Sequence, residues 1–202
     1  MNNPQQNRVL ITGSTGFIGN FVIKELLKYN IEIIATGTKP KNRINHDWLS
    51  KVVYIQADLN QDCEDWYKFF GKPDVVIHLA WQGLPNYNEK FHLDKNFSSS
   101  YKFLKNLVLS GCKDIVVTGT CFEYGMQNGS LHECLESMPI TYYAIAKDKL
   151  RKLLQEFQKK KNFNLKWIRL FYMYGKGQSS GSILSQLDSA ILRKDKIFNM
   201  SE

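Results

Sequence analysis

The chain has 202 residues, of which 43% are hydrophobic and 13% aromatic, and its formal net charge is +8. This composition provides one generous domain with a sizeable core and excludes a fibrous or disordered chain. The positive charge favours anionic partners such as nucleotides, but no nucleic-acid-binding motif accompanies it. No apolar run reaches the roughly 18 residues of a membrane span. We therefore expect neither nucleic acid nor membrane as a partner.

The cysteines and histidines lack the spacing of metal ligands or of a disulfide framework. No Cys-x-x-Cys pair occurs among Cys63, Cys112, Cys121 and Cys134, and the histidines are His46, His78, His92 and His132. We therefore predict no metal site and structural roles for the histidines. Together with an N-terminus unlike a signal peptide, this pattern predicts a cytoplasmic protein.

Short β-branched segments alternate with longer amphipathic ones along the chain. We predict strands over 8–12, 31–36, 52–56, 74–79, 115–118 and 165–170, and helices over about 16–29, 62–70, 94–110, 142–160 and 181–194. Strands that are almost wholly apolar are typical of sheets covered on both faces. The alternation predicts an α/β fold, a doubly wound parallel sheet with helices on both faces.

A glycine-rich segment follows the first predicted strand and opens the first predicted helix. Its glycines suit a sharp turn, close approach of a pyrophosphate to the backbone, and close packing of helix on sheet. The alternative is an ordinary glycine-rich turn, but the strand–turn–helix setting favours a dinucleotide-binding Rossmann domain. The predicted cofactor residues here are Gly13, Ser14, Thr15, Gly16, Phe17, Ile18 and Gly19.

The end of the second predicted strand indicates which dinucleotide is bound. Folds that prefer NAD usually place a carboxylate there to bind the ribose hydroxyls. Residues 35–43 contain no Asp or Glu, whereas Thr38, Lys39 and Arg43 could hold a 2′-phosphate. We therefore predict a preference for NADP(H), with NAD(H) as the alternative.

Tyr143 and Lys147 lie one helical turn apart in a predicted helix, so their side chains face the same way. An ammonium ~5–6 Å from a phenolate, at an effective dielectric constant of ~20, stabilises it by roughly 3 kcal/mol. We therefore predict that Lys147 lowers the pKa of Tyr143 and makes it an acid–base catalyst. Thr120, at a predicted strand end, is expected to bind the reacting oxygen; its alternative role is a turn or cap hydroxyl.

Three motifs resemble the extended branch of the short-chain dehydrogenase/reductase superfamily, the NAD-dependent epimerase/dehydratase family. They are Gly-x-x-Gly-x-x-Gly at 13–19, Thr-Cys-Phe-Glu-Tyr-Gly at 120–125 and Tyr-x-x-x-Lys at 143–147. The resemblance implies a catalytic triad of Thr120, Tyr143 and Lys147, the last two also contacting the cofactor. It further implies cofactor contacts at Asp58, Leu59, Leu79, Ala80, Trp81 and Asn96.

Within this branch, residues 119–125 and 171–178 are similar to the dTDP-4-keto-6-deoxyhexose 4-reductases, the dTDP-6-deoxy-L-talose dehydrogenase type. The resemblance implies hydride transfer to a keto group of a nucleotide-sugar, a place in polysaccharide biosynthesis, and a homodimer. Substrate contacts are implied at Trp81, Leu84, Asn86, Tyr87, Cys121, Phe122 and Tyr172. Tyr172 stands where the family has Asn, so this contact departs from the family's pattern.

Two other functions stay open at this point. A nucleotide-sugar 4-epimerase would keep the fold and use its NAD transiently. A dehydratase would place Asp-Glu after the catalytic Thr, where this chain has Cys121-Phe122. An alternative of another class is a non-catalytic dinucleotide sensor or scaffold.

The predicted domains are a dinucleotide-binding Rossmann domain over 1–172 and the start of a substrate-binding portion over 173–202. Extended members of the family usually continue further, so we expect this portion to be incomplete and the chain to be a truncated form. On that expectation the chain binds its cofactor but turns substrate over weakly.

Overall fold

Six parallel strands form one sheet in the computed structural model, which describes residues 7–198. The strands are β1 (Arg8–Thr12), β2 (Glu32–Gly37), β3 (Val53–Gln56), β4 (Val75–His78), β5 (Asp114–Thr120) and β6 (Asn164–Leu170). Their order across the sheet is β3-β2-β1-β4-β5-β6. The order reverses between β1 and β4, and ligands of such sheets bind outside the carboxyl ends of the strands at that switch point.

The helices alternate with these strands. They are α1 (Phe17–Leu26), α2 (Trp66–Phe69), α3 (Ser98–Ser110), α4 (Tyr142–Gln158) and α5 (Ile183–Arg193), and a π-helical segment, His92–Phe97, leads into α3. The predicted Rossmann fold, a doubly wound parallel sheet with helices on both faces, is confirmed.

One predicted helix is much shorter than expected. The pattern predicts a helix over 62–70, but α2 begins only after Asp65, whose carboxylate accepts a hydrogen bond from the Lys68 N–H at 2.9 Å. This side chain satisfies a free N–H at the helix start, which is the usual role of an N-cap aspartate. The cap therefore sets the first residue of α2 at Trp66.

Two apolar clusters cover the two faces of the sheet. Leu10 of β1 packs in one cluster with Phe103 of α3 and Leu150 of α4. Its neighbour Ile11 packs in the other with Ile23 of α1. Because successive side chains of a strand point to opposite faces, α3 and α4 cover one face and α1 covers the other.

The chain divides after Leu170 into two compact units. The first contains the whole sheet and α1 to α4, and the second contains α5. The domain boundary between residues 172 and 173 stays a prediction, because a division into compact units does not identify functional domains. Among residues 7–198, no helix combines the length and the apolar character needed to cross a bilayer.

Candidate active site

The turn between β1 and α1 requires glycine at its first position. Gly13 has a φ of +67°, and a Cβ placed there would lie 2.8 Å from the backbone nitrogen of Ala80. Both the left-handed conformation and this close approach exclude a side chain. Gly16 is the N-cap of α1 and provides no side-chain cap, so the first N–H groups of the helix face the same turn.

A cavity of about 250 Å³ lies at this edge of the sheet. The predicted cofactor residues in its wall are Gly13, Thr15, Gly16, Thr38, Asp58, Leu59, Leu79, Ala80, Trp81 and Asn96. The wall also contains His78, at the strand end that the family resemblance places beside the cofactor, and residues that the sequence did not indicate: Thr12, Thr36, Gly37, Ala57, Asn60, Gln82, Ser99 and Ser100. Each of these residues lies at or just after the carboxyl end of a strand, or on α3. The order of the strands in the sheet, rather than any local motif, brings them together.

Other predicted cofactor residues lie outside the cavity wall. The Ser14 hydroxyl donates to the Thr36 carbonyl at 2.9 Å, and Gly19 packs against the Gly13 carbonyl, where a Cβ would overlap it. Phe17 and Ile18 begin α1, and Lys39 is exposed. Ser14 and Gly19 therefore shape the turn.

The cavity has the features that a dinucleotide needs. Its glycine-lined turn leaves room for a pyrophosphate against the N-terminus of α1. The Thr36 hydroxyl oxygen, in the cavity wall, is buried and has no hydrogen-bond partner within residues 7–198. A buried hydroxyl of this kind usually finds a partner, and a bound ribose or phosphate would provide one.

His78, at the end of β4, ties the cavity to the core. Its Nδ1 lies 2.9 Å from the Thr12 hydroxyl and its Nε2 3.1 Å from the Ser100 hydroxyl. The Thr12 oxygen already accepts from the Leu79 and Ala80 N–H groups, so its proton is donated to His78. Burial, with Lys147 adding to it, lowers the pKa of His78 to about 3, so the ring is neutral.

Thr120 and Tyr143 are brought together from two elements. Thr120 is the last residue of β5, and Tyr143 lies in the first turn of α4, which the Thr141 hydroxyl caps. The Thr120 hydroxyl lies close enough to the Tyr143 phenol to lower its pKa. The backbone N–H of Tyr143 also donates to the Tyr87 carbonyl at 2.9 Å, which attaches the loop after β4 to the start of α4.

Lys147 is buried one turn further along α4. Its ammonium donates to the Thr118 carbonyl at 2.8 Å and lies 3.9 Å from the centre of the Trp81 ring. Burial lowers the pKa of Lys147 to about 7, although the charge of Glu123 opposes this. The amine therefore titrates close to neutral pH.

The expected lowering of the Tyr143 pKa is wrong for this structure. Burial raises the pKa of Tyr143, and the nearby Thr120 hydroxyl offsets only part of that effect, while Tyr87, Glu123 and Cys121 add to it. Burial penalises the charged phenolate, and the neighbouring groups return less than that penalty. Tyr143 is therefore a protonated acid at neutral pH.

The predicted substrate residues divide into two groups. The Tyr87 ring lies 5.1 Å from Phe122 and 5.6 Å from Tyr143, and the Trp81 ring lies 5.9 Å from Tyr143. These aromatic residues lie around the Tyr143 ring. Cys121 is half-buried beside Thr120, Leu84 and Asn86 are exposed on the loop after β4, and Tyr172 is exposed in the second unit.

His92 fixes the orientation of Trp81. The Trp81 indole N–H donates to Nδ1 of His92 at 3.0 Å. The imidazole of His92 therefore carries its proton on Nε2, which donates to the Asn86 carbonyl at 2.9 Å. Burial lowers the pKa of His92 and keeps this neutral form. The sequence predicts a structural role for His92 but does not identify Trp81 as its partner. Nothing in the spacing of residues 81 and 92 indicates that the two side chains meet.

Comparison with known proteins places this geometry in a family. The sequence profile described as NAD dependent epimerase/dehydratase family matches residues 9–201. The chain is 32% identical over 186 residues to the dTDP-6-deoxy-L-talose 4-dehydrogenase (NAD(+)) of Aggregatibacter actinomycetemcomitans, which covers 89% of this chain and 66% of that protein. It is 27% identical over 189 residues to the dTDP-4-dehydro-6-deoxyglucose reductase of Escherichia coli, covering 86% of this chain and 58% of that protein.

A solved structure shares the fold. The UDP-N-acetylglucosamine 4-epimerase from Methanobrevibacter ruminantium M1, in complex with UDP-N-acetylmuramic acid, superposes with a TM-score of 0.83 at 21% identity. The match covers 98% of this chain and 67% of that one. The chain spans 58% to 66% of the length of the two curated relatives above. The glycine turn, the cavity and the profile match over nearly all described residues lead to one assignment: the chain belongs to the NAD dependent epimerase/dehydratase family.

Proposed function

We propose that this protein is an NAD(P)-dependent oxidoreductase that reduces the keto group of a nucleotide-sugar, a 4-keto-6-deoxyhexose. One observation carries the proposal: Tyr143, with Thr120 beside it, adjoins the dinucleotide cavity through Trp81. Trp81 lines the cavity and contacts both Tyr143 and the Lys147 ammonium. An acid, a hydroxyl donor and a cation therefore meet at one wall of the site.

Each of the three side chains has a distinct task. The bound dinucleotide supplies the hydride that reduces the carbonyl carbon. Tyr143 donates its proton to the carbonyl oxygen as the hydride arrives, which completes the alcohol. Thr120 donates a hydrogen bond that orients the same oxygen. Lys147 stabilises the phenolate left behind, because its ammonium lies in a buried, low-dielectric site.

The protonation of Tyr143 favours reduction over epimerisation. A 4-epimerase first needs the phenolate as a base to oxidise the sugar, whereas a reductase first needs the phenol as an acid. Since burial raises the pKa of Tyr143, the acid form is present at neutral pH. The alternative, a nucleotide-sugar 4-epimerase, therefore starts from the less populated form.

The aromatic surroundings support a deoxy sugar as substrate. Tyr87, Phe122 and Trp81 present apolar ring surface beside Tyr143. Such surface suits a methyl group at C6 better than a carboxylate, which would lose its hydration there. Two curated relatives are named for dTDP-linked 6-deoxy sugars. We extend that substrate class to this chain, including the predicted contacts at Leu84, Asn86, Cys121 and Tyr172.

For the cofactor, we propose that NADP(H) is preferred and that NAD(H) is the alternative. Thr38 lies in the cavity wall, and Lys39 and Arg43 are exposed nearby in sequence. Residues 37–43 contain no carboxylate to repel a 2′-phosphate. One curated relative is named for NAD(+). The affinities of this protein for NADPH and NADH should therefore be compared directly.

The location and assembly of the protein are proposed on less specific grounds. A cytoplasmic enzyme is consistent with cysteines that lack disulfide or zinc spacing. We propose a homodimer by analogy with the family, through the faces of α3 and α4 that point away from the sheet. The second unit, after Leu170, is proposed as part of the substrate-binding portion.

The test is transfer of deuterium from C4-deuterated NADPH to a panel of 4-keto nucleotide-sugars, followed by mass spectrometry of the products. We expect one deuterium at C4 of a 6-deoxyhexose product. A tightly held NAD with release of an epimerised sugar would favour the epimerase. Cofactor binding without label in any product would contradict the reductase and leave a non-catalytic binder.

A further inference from the structure

A buried carboxylate lies directly behind the catalytic threonine. Glu123 has no solvent exposure, and its Oε1 accepts a hydrogen bond from the backbone N–H of Thr120 at 2.9 Å. The Thr120 hydroxyl in turn accepts from the Phe122 N–H at 3.3 Å. The Thr120 side chain also accepts from the Glu123 backbone N–H, which completes a capping box and fixes the turn between the strand and the segment that follows it. The backbone of Thr120 is therefore held by Glu123.

Three cationic or donor groups hold this carboxylate in place. The Trp167 indole N–H lies 3.1 Å from each carboxylate oxygen, and the Arg169 Nε lies 2.8 Å from Oε2. Arg151 of α4 adds an ion pair, with its Nε 3.6 Å from Oε2. A fully buried charge persists only with such partners. Glu123 therefore links β5, β6 and α4 at one point.

The residue before Thr120 is shaped by this arrangement. A Cβ on Gly119 would overlap both the Trp167 indole nitrogen and the Glu123 carboxylate. Glycine here permits the carboxylate to lie against the strand end. The sequence Gly-Thr at 119–120 is thus fitted to Glu123.

We propose that Glu123 is a positioning residue for the reaction, which sets the Thr120 hydroxyl and places a negative charge behind the catalytic set. The proposal rests on the proposed function for Thr120, Tyr143 and Lys147. Glu123 lies outside the cavity wall, so it acts through these residues. Arg169 and Trp167 are its supports.

The charge of Glu123 acts on both ionisable members of the set. It raises the pKa of Lys147 against the effect of burial, and it adds to the raised pKa of Tyr143. The other groups that face Lys147 are the Thr118 carbonyl, the Trp81 ring and the neutral His78 and His92. Those that face Tyr143 are Thr120, Tyr87, Cys121, the Trp81 ring and the neutral His92 ring. Removing the charge should therefore lower both pKa values.

The main experiment compares wild type with Glu123→Gln in the full chain. Glutamine retains an oxygen that accepts from the Thr120 N–H but removes the charge. Three quantities are measured: NADPH affinity by calorimetry, the separate kcat and KM for the keto sugar, and the titration of Lys147 followed by NMR of ¹³Cε-lysine. The Lys147 signal is assigned by its loss in Lys147→Met.

We expect Glu123→Gln to bind NADPH within about twofold of wild type, because Glu123 does not line the cavity. We expect kcat to fall on the order of ten- to a hundredfold with little change in KM. The Lys147 titration should move to lower pH. Asp148→Asn is the matched control, because Asp148 is another buried carboxylate that pairs with Arg151 but does not contact Thr120. The kcat and the Lys147 titration of this variant should equal those of wild type.

A second variant covers failure of Glu123→Gln to fold, since that substitution removes the ion-pair partner of Arg169. Trp167→Phe removes the two indole bonds but keeps the charges, so kcat should fall while the Lys147 titration stays in place. Trp48→Phe, which loses one indole bond to Asn20 in the other cluster, is its control. Wild-type kcat in Trp167→Phe, or an unmoved Lys147 titration in Glu123→Gln, overturns the proposal. Absence of turnover in wild type would overturn the proposed function instead, and the Lys147 titration would still test the charge of Glu123.

Discussion

The Lys147 ammonium lies 3.9 Å from the centre of the Trp81 ring. Because Trp81 is also held at its indole N–H by His92 and lines the dinucleotide cavity, the cation is fixed before any substrate arrives. A desolvated cation over an indole gains about 2 kcal/mol. This contact connects the proposed cofactor site to the proposed acid–base group, Tyr143.

Replacing Trp81 should change the pH dependence of the reaction. Trp81→Leu removes the ring that stabilises the ammonium, so the pKa of Lys147 falls below its value of about 7. If the reaction needs the protonated lysine, the alkaline limb of kcat then moves to lower pH. Trp81→Phe keeps a ring face and should move the limb less. Equal profiles for the two variants, measured from about pH 5 to pH 9, would count against this role of Trp81.

The burial of Lys147 should also appear in protein stability. Its pKa is about 7 in the folded protein and about 10.4 in the unfolded chain. Between these values the unfolded chain binds more protons, so the free energy of unfolding contributed by Lys147 rises with pH. In Lys147→Met this rise should be missing from urea unfolding curves, and Lys149→Met, an exposed residue of the same helix, should keep it.

Gly13→Ala should weaken cofactor binding through the turn it distorts. The substitution forces an alanine into a φ of +67° and against Ala80, which costs about 1–2 kcal/mol for the conformation alone. We expect NADPH affinity to fall by tenfold or more. Gly129→Ala is the matched control, because Gly129 has a φ of +91° but no atom within 4 Å of its added Cβ. Equal NADPH affinity in both variants would contradict the assignment of the turn.

Thr38→Asp should reverse the preference between the two dinucleotides. A carboxylate in the cavity wall at the end of β2 repels a 2′-phosphate but accepts hydrogen bonds from ribose hydroxyls. NADPH affinity should fall about tenfold or more, while NADH affinity stays or improves. Thr38→Asn has the same shape without the charge and should change the ratio less. A wild-type protein that binds NADH as tightly as NADPH would make the NADP(H) proposal wrong.

The strands and the glycine turn could be predicted because their signals are local. Apolar runs such as that around Leu10 follow from burial on both faces of the sheet. Gly13 is required by backbone geometry within a few residues of sequence. The length of the helix predicted over 62–70 was overestimated. The hydrophobic pattern does not show that the Asp65 side chain caps the helix, so that the helix begins only at Trp66.

The electrostatics of the site could not be predicted in the same way. The spacing of Tyr143 and Lys147 indicated attraction, but the cost of burying the phenol depends on Trp81 and Tyr87, which are distant in sequence. Glu123 was missed for a related reason. Its partners Trp167 and Arg169 come from the neighbouring strand, so no local motif shows that it is buried.

The most direct test of the account is single-turnover transfer of deuterium from C4-deuterated NADPH by wild type and by Tyr143→Phe. The variant keeps the ring that packs against Trp81 and Tyr87 but lacks the acidic proton. We predict NADPH affinity within about twofold of wild type and transfer slowed by a factor of about 100 or more. Transfer at the wild-type rate in Tyr143→Phe would show that this phenol is not the acid and would contradict the account.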